Sequence, residues 1–286
     1  MNILLAGGAG FIGSHLIPAL QGAGHKVTAL LRPGSAVPEA WTGVEVVRAD
    51  LAVLDPAALP QAEMLIHLAQ GTGAFPGKAD DLLAVNCVSA VTMAGHGSRT
   101  GASRMIYASS GSVYGFSGQP VGEDSPLLGT GFYSQTKIAA EKLLGEFRDR
   151  LQVDLLRIFT PYGPGQHPSR LIPDVVARVR AGRAVSVRAN GMPFLSPVAV
   201  SDVVACLMAR LAAEDSLTLN VAGRGVTGIR EIAECAARIT GGTPVFEENT
   251  APLSGGMAGS SALMEKATGV RPVSLEEGLR ALCNIN

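Results

Sequence analysis

Short apolar runs alternate with stretches of helical periodicity along the first half of the chain. Residues 2–6 form an apolar run behind one polar residue and read as a strand buried on both faces; residues 10–23 repeat apolar positions at helical spacing. Further strands are predicted at 26–31, 44–48, 64–68, 104–109 and 153–159, with helices at 80 to about 100 and 133 to about 150. Strands buried on both faces with helices between them form a parallel sheet, because a parallel connection needs a crossover long enough to hold a helix. Right-handed crossovers then leave a doubly wound α/β sheet as the topology.

The rhythm changes after residue 159, where Pro161-Tyr162-Gly163-Pro164-Gly165 is a turn-rich break. Helices are predicted at 171–181, 200–211, 229–240 and 275–282, and strands at 184–188 and 217–221. A turn is predicted at Asn190-Gly191 and a Gly/Ser-rich loop at 254–261. The expected architecture is a Rossmann-type doubly wound parallel sheet with a smaller C-terminal substrate-binding lobe. Residues 1–159 form the dinucleotide-binding part and 160–286 mainly the lobe, with the chain returning to the sheet around 198–222. A length of 286 residues suits two units of roughly 150 each.

Composition narrows the function classes. Hydrophobic residues at 47% against 16% charged supply a substantial core. With 23 Lys+Arg against 24 Asp+Glu, no basic excess exists to hold a phosphate backbone, so no nucleic-acid partner is expected. The four cysteines, Cys87, Cys206, Cys235 and Cys283, are scattered and read as small buried hydrophobes rather than metal ligands. The N-terminal run lacks a basic leader, and no stretch reaches the roughly 20 apolar residues of a membrane span. A cytoplasmic protein with a small-molecule substrate, no metal and no membrane partner is expected.

Gly7-Gly8-Ala9-Gly10-Phe11-Ile12-Gly13 lies between the first strand and the first helix. Glycines at 7, 10 and 13 permit a tight turn, close approach of a pyrophosphate and close helix–strand packing, while the helix start at Phe11 and Ile12 offers unpaired N–H groups. The second strand ends Leu30-Leu31-Arg32-Pro33, without the acid that would bind the adenosine ribose diol. Arg32 suits a 2′-phosphate, so NADP(H) is the expected cofactor and NAD the alternative; the other reading of Arg32 is a solvated loop residue. Asp50, before Leu51, either accepts from the adenine amino group or caps a helix. Leu68, Ala69 and Gln70 close the fourth strand where backbone would run beneath ribose and phosphates, and His67 reads as a packed strand residue.

Tyr133 and Lys137 stand four residues apart, on one face of a helix. A free phenol has a pKa of about 10, and a nearby ammonium favours the phenolate. Such a group can exchange a proton with a carbinol or carbonyl while hydride moves to or from a nicotinamide. Upstream, Tyr107-Ala108-Ser109-Ser110-Gly111-Ser112-Val113-Tyr114-Gly115 leaves the carboxyl end of the fifth strand, where ligands of open α/β sheets bind.

With these segments the sequence resembles the extended short-chain dehydrogenase/reductase family, in its NAD-dependent epimerase/dehydratase branch. Its marks are the glycine motif, Asp50-Leu51, His67-Leu68-Ala69, Asn86, the serine segment with Val113-Tyr114-Gly115, and Tyr133/Lys137 followed by Glu141. They continue with Arg157, Tyr162-Gly163-Pro164-Gly165-Gln166, Val200 with Asp202, and Ser274 to Leu279. The resemblance implies that Tyr133 is the acid/base, that Lys137 tunes it and holds the nicotinamide ribose, and that Ser110 hydrogen-bonds the substrate oxygen. Counting back from Val113 selects Ser110 over Ser109, which falls to the cofactor side. Asn86 braces the backbone or assists catalysis, and Tyr114 packs or faces substrate.

Three departures bear on the substrate. Gly111 and Ser112 stand where similar sugar-nucleotide 4,6-dehydratases carry Asp-Glu, so water elimination is not expected and Ser112 is left as a substrate contact. Leu195 stands where nucleotide-sugar enzymes have an arginine for the pyrophosphate, and Thr160 where they have a substrate-facing asparagine. Arg170 and Arg188 are candidate replacements or ordinary surface arginines. The expected function is NADP(H)-dependent hydride transfer at a keto or hydroxy group of a sugar-like substrate. A nucleotide-sugar epimerase with tightly bound cofactor and a non-catalytic dinucleotide sensor are the alternatives. The helix around Tyr133, with its small Ala139 and Ala140, is covered either by a second copy in a homodimer or within the chain.

Overall fold

The protein is described from a computed structural model covering residues 1–71, 74–188, 190–251 and 255–284. Six strands arise in the first 158 residues: β1 (Asn2–Ala6), β2 (Lys26–Leu31), β3 (Glu45–Arg48), β4 (Met64–His67), β5 (Arg104–Ser110) and β6 (Gln152–Ile158). With Thr218–Val221 they build a seven-stranded sheet ordered Thr218–Val221, β6, β5, β4, β1, β2, β3. The registers joining β1 to β2, β1 to β4, β2 to β3 and β4 to β5 are parallel. The chain winds outward from β1 to β3, then crosses to β4 and continues the other way. The loops after β1 and β4 therefore flank the point where strand order reverses, the place such sheets offer a ligand.

Helix α1 (Phe11–Gly22) follows β1 and buries Leu16, Ile17 and Leu20. The predicted helix over 80–100 is α2 (Ala79–Leu83) and α3 (Ser89–Thr100) joined through a π turn at Ala84–Val88. The extra residue in that turn brings Val85, Asn86 and Cys87 inward together. Gly101, at φ +86°, ends α3 in the left-handed conformation that a side chain would resist. Helix α4 (Phe132–Gly145) stops short of residue 150, because Gly145 propagates a helix poorly and the polar residues after it close tight turns such as Phe147 N–H to Leu144 O.

The remaining helices are α5 (Leu171–Arg180), α6 (Val200–Leu211), α7 (Ile229–Thr240), α8 (Ala262–Thr268) and α9 (Leu275–Leu282). Strand Ala184–Arg188 pairs in parallel with Val245–Asn249, a strand the apolar pattern does not signal. The predicted loop 254–261 begins outside the described residues; its later part forms bridges from Gly256 to Ser117 and from Gly259 to Val121. Helix α8 follows it unannounced, with Glu265 accepting from the Ser261 hydroxyl at 2.7 Å.

Two compact units result, and they interleave along the chain. The first comprises Met1–Val113, Gly129–Arg157 and Leu207–Leu219; its core includes Leu4, Leu65, Met93, Met105 and Leu144. The second comprises Tyr114–Leu128, Ile158–Cys206 and Asn220–Asn286, with a core around Tyr162, Ile172, Val176, Ile232 and Leu279. Among the described residues no helix is long and apolar enough to cross a membrane, and no group of three or more His, Cys, Asp or Glu could hold a metal ion.

Candidate active site

The β1–α1 loop has the shape of an anion cradle. Gly7 sits at φ +84°, and a Cβ there would lie 2.5 Å from the Ala69 nitrogen at the end of β4. A Cβ on Gly13 would meet Gly8 O at 2.4 Å, so helix and loop close on each other only because that atom is missing. Gly10 caps α1 without a side-chain hydrogen bond, and its first turn carries no acid. The N–H groups at Phe11 and Ile12 thus start a helix whose positive end is left for a ligand. These residues fit a dinucleotide pyrophosphate, with Leu68 and Ala69 forming the adjoining wall and Gln70 exposed beside it.

At the far end of this loop system Arg32 is exposed, just beyond β2. Arg48 donates to Ser35 O at 2.5 Å and to Arg32 O at 3.3 Å, pinning the turn that carries Arg32. Asp50 takes the capping geometry: its Oδ1 accepts from Ala52 N–H at 3.0 Å at the head of the short turn Leu51–Val53. One carboxylate oxygen is therefore committed within the backbone, and only the other remains for an adenine amino group.

Helix α4 places Tyr133, Lys137 and Glu141 in successive turns. Tyr133 is half-buried, whereas Lys137 and Glu141 are buried. Lys137 Nζ donates to Ala108 O at 2.7 Å and lies 5.9 Å from the centre of the Tyr133 ring. Burial pulls the Lys137 amine down to about 7, partly opposed by the Glu141 carboxylate. Glu141 is already neutralised: Arg157 Nη2 donates to it at 2.7 Å, and the Ser109 hydroxyl donates to its Oε1. Ser109 is thus turned inward, and any contact it makes with a cofactor runs through its main chain. Ser110 is half-buried, its Oγ accepting from Ser112 N–H at 3.1 Å within the turn Gly111–Tyr114. The Ser112 hydroxyl is buried without a partner.

Asn86 ties these parts together. Its Oδ1 accepts from Gly71 N–H at 2.8 Å, and its Nδ2 donates to Thr136 Oγ1 at 3.0 Å, one residue before Lys137. It therefore braces both the β4 exit and α4. His67 is fully buried, with Nε2 2.8 Å from Ser89 Oγ, and burial together with the Lys137 charge pushes it down to about 3. It remains a neutral packing group. Glu141 and Arg157 are the residues whose role sequence reasoning left unassigned; the signal was the recurrence of polar residues at four-residue spacing after Tyr133.

Tyr114 lies in the second unit, buried, with its hydroxyl 2.7 Å from Asn220 Oδ1 and its ring stacked on Phe159. Thr160, in the same unit, is held at φ +42°, a conformation that a β-branched residue rarely adopts and that tends to mark functional positions. Arg170 is exposed at the start of α5, and Leu195 is buried. Arg188 donates to Ala251 O and lines a cavity of about 400 Å³ with Met192, Phe194, Ile229 and Arg230.

The sequence profile described as "NAD dependent epimerase/dehydratase family" matches residues 3–222. The chain belongs to this family. UDP-glucuronic acid decarboxylase 5 of Arabidopsis thaliana is 28% identical over 254 residues, covering 82% of this chain and 73% of the relative. UDP-glucose 4-epimerase of Bacillus subtilis (strain 168) is 30% identical over 234 residues, covering 71% and 69%. Among solved structures, MoeE5 in complex with UDP-glucuronic acid and NAD aligns over 99% of this chain and 98% of its own, with a TM-score of 0.87 and 28% identity. The doubly wound fold and the family assignment thus agree with the sequence reading. As an epimerase/dehydratase family member the chain is an enzyme of the short-chain dehydrogenase/reductase type.

Proposed function

We propose that this enzyme carries out nicotinamide-dependent hydride transfer at a hydroxyl-bearing carbon of a nucleotide sugar, with Tyr133 as the proton-transfer group. The carrying observation is the buried Lys137 ammonium: one face of α4 presents it with Tyr133, and no ion pair joins it to a carboxylate among the described residues. Its charge is therefore left to act on the Tyr133 phenol. A nicotinamide dinucleotide, when bound, supplies the hydride acceptor. Gly7, Gly10, Phe11, Ile12 and Gly13 hold its pyrophosphate, Ser110 orients the substrate oxygen, and Lys137 holds a ribose hydroxyl. Gly111 and Ser112 offer no carboxyl group for water elimination, which argues for transfer without dehydration.

The relatives named as UDP-sugar epimerase and decarboxylase, and the UDP-glucuronic acid complex, support a UDP-sugar as substrate. The cavity beside Arg188, walled by Met192, Phe194 and Ile229, suits the flat, partly apolar nucleotide end. Thr160 and Arg170 are further candidates for substrate contacts. Mixing the protein with NAD and either UDP-glucose or UDP-glucuronic acid is expected to produce reduced nicotinamide in a single turnover, or an epimerised sugar with the nicotinamide returned to its starting state. Neither signal with either sugar nucleotide would overturn this reading.

For the cofactor, the solved relatives are complexes with NAD, while the second strand of this chain ends without an acid and with exposed Arg32. We infer that the site takes NAD and also admits the 2′-phosphate of NADP. Arg32→Glu is then expected to weaken NADP binding by about tenfold or more and NAD binding by less than about twofold. Titration calorimetry with each dinucleotide reads the difference; equal losses for both would remove the role given to Arg32.

A further inference from the structure

We propose that Tyr107, on β5, is a positioning residue that keeps the Lys137 ammonium charged and aimed at Tyr133. This rests on the proposed role of Lys137 and adds a residue that the Tyr133/Lys137 pairing does not contain. Lys137 Nζ stands 4.6 Å above the centre of the Tyr107 ring, closer than its 5.9 Å to the ring of Tyr133. Both Tyr107 and Lys137 are buried, so the ammonium has lost its water shell. A desolvated cation seeks a negative surface, and the face of an aromatic ring is one that carries no net charge. The distinction matters because a carboxylate in the same place would cancel the field that acts on the Tyr133 phenol.

The surroundings of the ammonium fit this division of labour. From α4, Glu141 faces it but is occupied by Arg157 and Ser109. From the π turn comes Cys87, whose thiol burial pushes up and therefore keeps neutral. From β4 comes His67, neutral, with its ring 5.6 Å from that of Tyr107. From β5 come Ala108 O, which accepts the one hydrogen bond described for the ammonium, and the Tyr107 ring. The Tyr107 hydroxyl donates to Asn86 O, so the ring is tethered to the residue that also braces Gly71 and Thr136. Burial raises the Tyr107 phenol well above its ordinary value, and it stays neutral alongside Tyr133.

The test reads the charge of Lys137 directly and needs neither substrate nor cofactor. The chain has five lysines, Lys26, Lys78, Lys137, Lys142 and Lys266, so protein labelled with carbon-13 at lysine Cε gives a resolvable spectrum. In the wild type the Lys137 resonance is expected to titrate near 7. Tyr107→Phe, which keeps the ring, is expected to leave that midpoint within about 0.3 units, and Tyr107→Leu to lower it by about 0.5 to 1 unit. Should Tyr107→Leu fail to fold, a series of fluorinated phenylalanines at position 107 preserves shape while draining the ring face of negative charge. The midpoint is then expected to fall stepwise with fluorination. An unchanged midpoint across Tyr107→Leu or across that series overturns the proposal. Failure of hydride transfer with a shifted midpoint would instead count against the proposed function alone.

Discussion

Replacing Lys137 with methionine is expected to silence hydride transfer while making the protein more stable at neutral and acid pH. The two effects share one cause. An exposed lysine in the unfolded chain titrates near 10.4, whereas burial in the folded protein brings the Lys137 amine to about 7. Below pH 7 both states carry the charge, and the folded state bears its whole desolvation cost, on the order of 4 kcal/mol. Between pH 7 and 10.4 the unfolded state binds the extra proton, so the stability contributed by this group climbs with pH. Above that range the two states no longer differ. Methionine fills similar volume without charge, so its advantage is expected to be largest at pH 6, about 2–4 kcal/mol after loss of the hydrogen bond to Ala108 O, and to fade by pH 10. Urea unfolding at both pH values measures it. A gain of equal size at both would show that desolvation of the ammonium is not what the folded state pays for.

Tyr133→Phe separates the roles. Tyr133 is half-buried and its ring remains, so stability is expected to change little, while turnover falls by about 10²- to 10⁴-fold through loss of the proton-transfer group. Loss of activity in both variants, with a stability gain in Lys137→Met alone, assigns proton transfer to the phenol and electrostatic tuning to the amine.

How far the chain could be read in advance follows from which forces leave a local trace. Strands 2–6 and 26–31 and the helices over 200–211, 229–240 and 275–282 were legible because each buries a stripe or a face of apolar residues at the period of its own backbone. Strand Val245–Asn249 was not, since it is largely exposed, carries Glu247 and Glu248, and exists through its pairing with Ala184–Arg188. The glycine cradle and the Tyr133/Lys137 face were visible because both are local in sequence. What surrounds them was not. Glu141 meets Arg157 and Ser109, and Lys137 meets Tyr107, only after α4 has packed beside β5 and β6. Partners 16 to 32 residues apart leave no periodic mark in the sequence.

The same reasoning singles out Asp154→Ala as the substitution expected to cost the most stability. Asp154 is fully buried on β6 and neutralises two cations from opposite directions: Arg104 at the start of β5, and Arg210 near the end of α6, whose Nη2 lies 2.9 Å from Oδ1. Its Oδ1 also accepts from Leu217 N–H at 2.9 Å, one residue before the edge strand Thr218–Val221. Alanine leaves Arg104 with the Ala213 carbonyl, and Arg210 with Asp215, a carboxylate largely in solvent. Removing one partner of a buried ion pair costs about 3–5 kcal/mol, because the remaining charge stays dehydrated and unpaired. Two stranded guanidinium groups place this variant at the upper end, a large part of the roughly 5–15 kcal/mol that holds a domain folded. Converting the cluster together to Arg104→Met, Asp154→Leu and Arg210→Met is expected to recover most of the loss, since no charge is then left buried. Denaturant unfolding of the single and triple variants separates the two effects. A single variant within about 1 kcal/mol of wild type would mean that the arginines find solvent or other partners, and that the carboxylate is not what lets β5, β6 and α6 bury their charges together.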